Sequence, residues 1–277
     1  MRFSLSLFML YMAVVLIASM PPQTQGQPAG PRRYTTSSVA VSKDAALAGL
    51  ISEVRSQADA FVFLSGGASK MGQEQQAQLL RMFDALALLA KDGRRLAVGD
   101  GGTQAGIMAA AGLARRSAGG TFPLIGIAPE GEIPPRGSTP VDPNHSHIVG
   151  VENPSAPPKD AWGSETETMY WLFDKLAEGR PSVTIVANGG GITLAEVAAN
   201  VQAGRHMILL EGSGRAADGL VSLLKGTPPK DPDSVDLAAR AKKDGLTNRA
   251  DLYQIVPLTA GPSGLRDALA AALKVPR

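Results

Sequence analysis

The chain has 277 residues, of which 44% are hydrophobic, 31 are glycine and none is cysteine. This length can bury a large core in one or two domains, and the absence of cysteine excludes disulfides, thiolate catalysis and cysteine-ligated metals. Residues 1–34 contain three of the 27 basic residues and none of the 25 acidic ones, so the remainder has a net charge of −1. A body without excess positive charge indicates no binding of nucleic acid.

The amino terminus has the pattern of a targeting segment. Arg2 precedes an apolar stretch over residues 5–20, which is short for a membrane span and of the right length for a signal-peptide core. We therefore predict a signal peptide or membrane anchor over residues 1–26, with a wrongly assigned start codon as the alternative. Residues 27–36 are predicted to form a flexible linker. The protein is accordingly expected to be membrane-associated or exported, with the side of the membrane left open.

Beyond the linker, short apolar runs alternate with amphipathic segments of helical length. The predicted strands are residues 39–41, 60–64, 95–98, 123–127, 147–151, 183–187, 206–210 and 252–256. The predicted helices include residues 44–57, 73–91, 103–116, 165–178, 235–243 and 264–274. This alternation predicts an α/β fold over residues 37–277, with one Rossmann-like, doubly wound, mainly parallel sheet and helices on both faces. Residues 225–249 are expected to form a charged excursion, and the apolar face of helix 73–91 to bury within the fold or to join a second subunit in a homo-oligomer.

Four of the predicted strands end in polar, glycine-rich turns. In a parallel sheet such turns lie at the edge formed by the carboxyl ends of the strands, where ligands bind. Free backbone N–H groups and helix dipoles at these turns bind phosphate, and the planar guanidinium of Arg215 suits the same anion. The candidate ligand-binding residues of the turns are Ser65, Gly66, Gly67, Gly101, Gly102, Thr103, Gly189, Gly190, Gly191, Thr193, Gly212, Ser213 and Gly214. The alternatives are tight turns without a ligand and an Arg215 that pairs with Asp218.

Further positions are candidates, each with a structural alternative. Trp162 is predicted either to stack on a base or to be a half-buried core aromatic. Glu196 lies near the start of a helix, where an acid either favours the helix dipole or acts in catalysis. His145 and His147 would supply two metal ligands but have no third, so no metal and no other cofactor is predicted. The G-x-G-x-x-A pattern over residues 212–217 comes too late in the chain for a nicotinamide-dependent dehydrogenase.

Five motifs occur in an order that resembles a known family. They lie at residues 63–67, 100–103, 143–147, 162–165 and 211–218. Over about residues 37–275 the chain is similar to the SLOG superfamily, specifically the cytosolic N-terminal domain of melastatin-type TRP channels and its free-standing prokaryotic, LSDAT-like relatives. The resemblance implies a domain that binds ADP-ribose, a cyclic ADP-ribose or a related NAD-derived nucleotide. By position, Ser65 and Gly66 would lie along the ligand, Trp162 would stack on the base and Arg215 would hold phosphate.

A more distant resemblance is to the phosphoribohydrolases, which are often misnamed lysine decarboxylases. Their P-G-G-x-G-T-x-x-E motif aligns with residues 188–196, where Thr193 and Glu196 match. Asn188 replaces the proline, and Ile192 replaces a glycine. This resemblance implies that Glu196 would stabilise oxocarbenium-like charge on a ribose as its glycosidic bond breaks.

Two functional hypotheses follow from these residues. In the first, the protein is a non-catalytic sensor of a nucleotide-derived small molecule and signals through a membrane tether at residues 5–20 or through a homo-oligomer. In the second, it is a nucleotide N-glycosidase that uses Glu196. A structural or partner-binding domain with a vestigial pocket is the third alternative. An arginine common in the channel members corresponds to Met169 here, which is a departure from that family pattern.

Overall fold

The computed structural model describes residues 30–67, 70–155 and 161–273. The strands in these ranges are β1 (Arg32–Ser37), β2 (Ala60–Gly66), β3 (Leu96–Asp100), β4 (Leu124–Pro129), β5 (His147–Glu152), β6 (Ser182–Ala187), β7 (His206–Glu211) and β8 (Tyr253–Pro257). They form one sheet in the order β1-β5-β4-β3-β2-β6-β7-β8, and every neighbouring pair is parallel.

The α-helices in the same ranges cover both faces of this sheet. They are α1 (Ala45–Gln57), α2 (Gln73–Met82), α3 (Asp84–Lys91), α4 (Gly106–Ser117), α5 (Thr166–Ala177), α6 (Gly191–Gln202), α7 (Arg215–Lys225), α8 (Pro232–Lys243) and α9 (Gly261–Ala272). One hydrophobic core lies between the sheet and helices α2, α3, α4 and α9. On the opposite face, a second core lies beneath α1 and α5, and a third beneath α6, α7 and α8.

The sheet is doubly wound about β2. From β2 the chain proceeds outward through β3, β4 and β5, then returns across β2 and continues through β6, β7 and β8 on the other side. Within β2, Phe61 and Phe63 belong to one core, whereas Val62 and Leu64 belong to the core on the opposite face. Because both faces are covered, the inner strands are buried almost throughout and are mostly apolar rather than alternating. The predicted α/β fold class is confirmed.

The linker predicted for residues 27–36 overlaps a strand, so this prediction is wrong at its carboxyl end. β1 is an edge strand that pairs in parallel with β5 and places Arg32 opposite His147. Arg33 adds an ion pair with Glu130, at 2.7 Å between Nη2 and Oε2. An edge strand is stabilised by backbone pairing and needs no apolar run, so its polar composition concealed it.

Two other predicted elements also differ from the structure. Residues 39–41 are not a strand but a turn that enters the 3₁₀-helix Val41–Lys43, and Val39 is 75% exposed. The single helix predicted for residues 73–91 is divided at the fully buried Phe83 into α2 and α3. Both halves consist of good helix formers, so local propensity does not reveal the break. The apolar faces of both helices pack against α4 and α9 within the fold.

The charged excursion over residues 225–249 contains α8, which begins three residues earlier than predicted. The Asp231 carboxylate caps it by accepting a hydrogen bond from the Ser234 N–H at 2.9 Å, and Pro232 occupies the first turn. α8 packs along α7, where a Cβ on Gly219 would lie 2.9 Å from the Ser234 carbonyl oxygen. The excursion is therefore a fixed part of the domain.

The amino-terminal targeting segment predicted for residues 1–26, with its apolar stretch at 5–20, lies outside the described residues. Among the helices of the described ranges, none is long and apolar enough to cross a membrane.

Candidate functional site

The turns that follow β2, β3 and β6 meet at the carboxyl edge of the sheet, beside the strand about which the sheet is wound. Connections that leave such a switch point toward opposite sides open a crevice between them. A cavity of about 510 Å³, called the central cavity below, lies there. The predicted site residues that line it are Gly66, Gly67, Gly101, Thr103, Trp162, Gly189, Gly190, Gly191, Thr193, Glu196 and Arg215.

The remaining predicted residues lie outside the central cavity. Ser65 is buried beside it, and Gly102 packs so closely on Gly126 that a Cβ would lie 2.9 Å from the Gly126 Cα. Three glycine-turn residues line a second cavity of about 460 Å³, which shares Arg215 with the first; they are Gly212, Ser213 and Gly214. Sequence reasoning did not assign Glu165, which also lines the central cavity and belongs to the motif at residues 162–165.

Close backbone packing requires glycine at the end of β2. Gly66 has φ +143°, and a Cβ at this position would overlap the carbonyl oxygen of Ala187 at the end of β6. Hydrogen bonds connect the turn after β6 to the turn after β7. The Asn188 N–H donates to the Ser213 Oγ at 2.8 Å, and the Asn188 Nδ2 donates to the Ser213 carbonyl at 3.0 Å. Asn188, which occupies the position of the proline in the phosphoribohydrolase motif, therefore links the two turns by hydrogen bonds.

Among the described residues, Arg215 is the basic residue that lines the central cavity. It begins α7 with φ +49°, a conformation that non-glycine residues rarely adopt and that is found preferentially at functional sites. Its Nε is buried without a hydrogen-bond partner, and its carboxylate neighbour is Asp233 at 3.6 Å. The alternative in which Arg215 pairs with Asp218 is wrong, because the Asp218 carboxylate accepts a hydrogen bond from the Gly212 N–H at 2.8 Å. Arg215 thus retains donor capacity beside the cavity.

Trp162 is an exposed wall of the central cavity rather than a core residue. Its exposure is 40%, and Ile192, which lines the same cavity, is 42% exposed. Gly163, the residue after Trp162, lies against Ile192, since a Cβ on Gly163 would be 3.4 Å from the Ile192 side chain. Together Trp162 and Ile192 form an apolar lip of the kind on which a planar ring can stack.

Two carboxyl groups, those of Glu165 and Glu196, face the central cavity. Burial raises the pKa of Glu196 to about 8; the hydrogen bond donated by Ser65 Oγ opposes this rise, and the charge of Glu165 adds to it. Burial likewise raises the pKa of Glu165 to about 7, opposed by the hydrogen bond that the Gly163 N–H donates at 2.7 Å. Neither carboxyl has an ion-pair partner within the described ranges. Near neutral pH, this pair can donate as well as accept hydrogen bonds.

A buried polar network lies next to Glu196 on α6. Asn200 lies one turn further along α6, and its Nδ2 donates both to the Glu196 carbonyl and to the Tyr170 hydroxyl, each at 2.9 Å. The Asn200 Oδ1 accepts hydrogen bonds from Thr184 Oγ1 at 2.7 Å and from Arg205 Nη1 at 2.9 Å. Through these bonds the network fixes α6 against the sheet, while Ser65 Oγ holds the Glu196 side chain by a hydrogen bond.

The motifs at residues 100–103 and 143–147 form a separate buried cluster. His145 Nε2 donates to Asp100 Oδ1 at 2.8 Å, and Nδ1 lies 3.3 Å from Asp142 Oδ1. Burial by itself would lower the pKa of His145, but the two carboxylates outweigh it and raise the pKa to about 9. Asp100 also accepts from the Gly102 N–H at 2.7 Å, so the cluster fixes the turn that carries Gly101 and Thr103 into the cavity.

His145 and His147 lie in different surroundings. His147 is buried at the start of β5, and burial, reinforced by the nearby Arg32, lowers its pKa to about 4. No group of three or more His, Cys, Asp or Glu side chains in the described ranges is arranged to hold a metal ion.

These features define a class: a Rossmann-like domain with a cavity, lined by glycine-rich turns, at the switch point of its sheet. The family described as "SLOG in TRPM, prokaryote" (LSDAT_prok) matches residues 59–265, and the chain belongs to this family. Among solved structures, the chain is similar to the molybdenum cofactor carrier protein MCP from Chlamydomonas reinhardtii, with 17% identity and a TM-score of 0.47. That alignment covers 78% of this chain and 99% of the carrier protein. No curated protein matches the chain.

Proposed function

We propose that the protein binds a phosphorylated, nucleotide-derived small molecule in the central cavity, with ADP-ribose, a cyclic ADP-ribose or a related NAD-derived nucleotide as the preferred class. The observation that carries this proposal is the composition of one cavity, which combines glycine-rich turns, the guanidinium of Arg215 and the exposed indole of Trp162. Its volume of about 510 Å³ lies within the usual range of small-molecule sites.

Each part of such a ligand has a matching feature. The first turn of α6, which begins at Gly191, supplies helix N–H groups, and Arg215 supplies a planar cation, which together suit phosphate oxygens. The lip formed by Trp162 and Ile192 suits the face of a base. The carboxyl groups suit ribose hydroxyls, which both donate and accept hydrogen bonds.

Isothermal titration calorimetry of the full chain with ADP-ribose, NAD and AMP tests the proposal. We expect at least one of the three to bind with micromolar affinity, and Arg215→Ala to weaken that binding by about tenfold or more. Arg116, an exposed arginine at the far end of α4, is the matched control, and Arg116→Ala should leave affinity unchanged. Failure of all three ligands to bind, or equal affinity in Arg215→Ala, would contradict the proposal.

A second candidate function, N-glycosidic cleavage of the same class of ligand, is favoured by the carboxyl pair. Glu196 and Glu165 line one cavity. At neutral pH one carboxyl, protonated, can give its proton to the departing base as the C1′–N bond breaks, while water adds to C1′ of the ribose and loses its proton to the other carboxyl, which is ionised. Product analysis of the same calorimetry mixtures distinguishes the two functions. Release of free base that is abolished by Glu196→Gln would establish cleavage, whereas intact ligand, or unchanged turnover in Glu196→Gln, would leave binding alone.

We further propose that residues 5–20 associate the domain with a membrane or direct its export, which is the interpretation that their apolar run supports. Fractionation of cells that express the full chain, with deletion of residues 1–26 as the comparison, tests this. Equal distribution of both proteins between membrane and soluble fractions would reject it.

A further inference from the structure

The helix of the charged excursion reaches the glycine turn of the central cavity. α8 is held beside the start of α7, because Ser234 Oγ donates to the Arg215 carbonyl at 3.0 Å. From this position its residue Arg240 extends to the start of α6, where a Cβ on Gly191 would lie 3.1 Å from both terminal nitrogens of the guanidinium. A Cβ on Gly190 would lie 3.0 Å from a terminal nitrogen of Arg215. Two guanidinium groups therefore lie against consecutive glycines of one turn.

The two guanidinium groups are poorly neutralised. Arg240 is exposed and forms no hydrogen bond or ion pair with any residue of the described ranges. The carboxylate near Arg215 is Asp233, at 3.6 Å, and it is already held by Lys70 Nζ at 2.8 Å. The acidic residue of α6 is Glu196, and its carboxyl accepts a hydrogen bond from Ser65 rather than pairing with either arginine.

Two cations on one turn, of which only Arg215 has an ion-pair partner in the described ranges (Asp233, at 3.6 Å), repel each other and create a local positive potential. Gly190, Gly191 and Arg215 line the central cavity, and Arg240, which is not one of its lining residues, lies beside it against Gly191. An anion that spans both guanidinium groups would remove the repulsion. A single phosphate engaged by Arg215 leaves Arg240 without a partner, whereas two linked phosphates provide one group for each arginine.

We propose that Arg240 is a second anion contact and that the site selects ligands with a diphosphate over those with a single phosphate. This inference rests on the proposed function and adds to it a specificity-determining residue from the excursion. It also gives the segment at residues 225–249 a role, since α8 is the element that carries Arg240.

Titration of the full chain with ADP and AMP, two adenine nucleotides that differ by one phosphate, tests the inference. The wild type should bind ADP more tightly than AMP. Arg240→Ala should weaken ADP binding by about tenfold and change AMP binding less than about twofold, because one charge-assisted contact is lost from the second phosphate only. The Arg116→Ala control removes an equally exposed charge far from the turn and should change neither affinity.

Gly191→Ala is a second variant that keeps both charges. Its methyl group would meet the Arg240 guanidinium and displace it, so the preference for ADP should again decrease. If Arg240→Ala weakens the binding of both nucleotides equally, or of neither, the inference is overturned. The proposed function still stands in that case if binding depends on Arg215. If the wild type binds neither nucleotide nor ADP-ribose, the proposed function itself fails.

Discussion

Two groups of buried acids lie at the same edge of the sheet, and they are built in opposite ways. Asp100 and Asp142 enclose His145, whose imidazole is completely buried between them. Glu165 and Glu196 face a cavity, and no cation of the described ranges pairs with either. The comparison shows how the surroundings of a buried carboxyl group set its protonation state. An enclosed carboxylate with a cation fixes a turn, whereas a carboxyl without one keeps its proton and is open to a ligand.

The largest effect that this comparison predicts is on stability. His145→Ala removes the cation and leaves Asp100 and Asp142 as neighbouring buried acids. We expect the free energy of unfolding to fall by about 3–5 kcal/mol, measured by urea denaturation at pH 7. His206, which is exposed at the start of β7, provides the control, and His206→Ala should cost less than about 1 kcal/mol. If His145→Ala and His206→Ala lower the free energy of unfolding by similar amounts, the His145 cluster has no special structural role and the distinction between the two groups of acids fails.

A smaller effect is expected in the pH dependence of stability. In the folded state Glu196 keeps its proton up to about pH 8, whereas in the unfolded chain it loses the proton near 4.5, so its contribution to stability falls as pH rises between these values. His145 contributes stability that is complete below its unfolded pKa of 6.5 and is lost as pH rises toward 9. Glu196→Gln should therefore reduce the fall in stability between about pH 4.5 and pH 8, and leave the decrease between about pH 8 and pH 9 that is due to His145.

Urea denaturation of the wild type and Glu196→Gln from pH 5 to pH 9 measures these profiles. Glu167, an exposed glutamate on α5, is the control, and Glu167→Gln should reproduce the wild-type profile. An unchanged slope between pH 5 and pH 6.5 in Glu196→Gln would show that this carboxyl does not hold its proton in the folded protein.

The smallest predicted effect is the coupling between the two carboxyls of the cavity. The charge of Glu165 contributes to the raised pKa of Glu196, so Glu165→Gln should move the titration of Glu196 to lower pH. Carbon-13 chemical shifts of the Glu196 side-chain carboxyl, followed from pH 5 to pH 10, measure the displacement. An unaltered titration would mean that the two groups act independently rather than as one pair.

The edge strand and the divided helix show why sequence patterns located most elements but not all of them. β2, β6 and β7 are buried on both faces, so their apolar runs and the glycine turns that follow them are visible in the local sequence. β1 is visible only through its pairing with β5, which lies more than 100 residues away. The break at Phe83 likewise depends on packing against other helices rather than on propensity.

The residues of the candidate site also fall into two groups: those that the local sequence indicates and those that only the tertiary structure reveals. Sequence alone determined the α/β class, the edge at which the glycine turns gather, and the candidates Trp162, Glu196 and Arg215, because apolar periodicity and glycine turns are local properties of the chain. Tertiary structure decided that Glu165 joins Glu196, that His145 is enclosed by acids, and that Arg240 reaches the turn at Gly191. These contacts join residues that lie far apart in the chain, and only the packing of helices on the sheet fixes them.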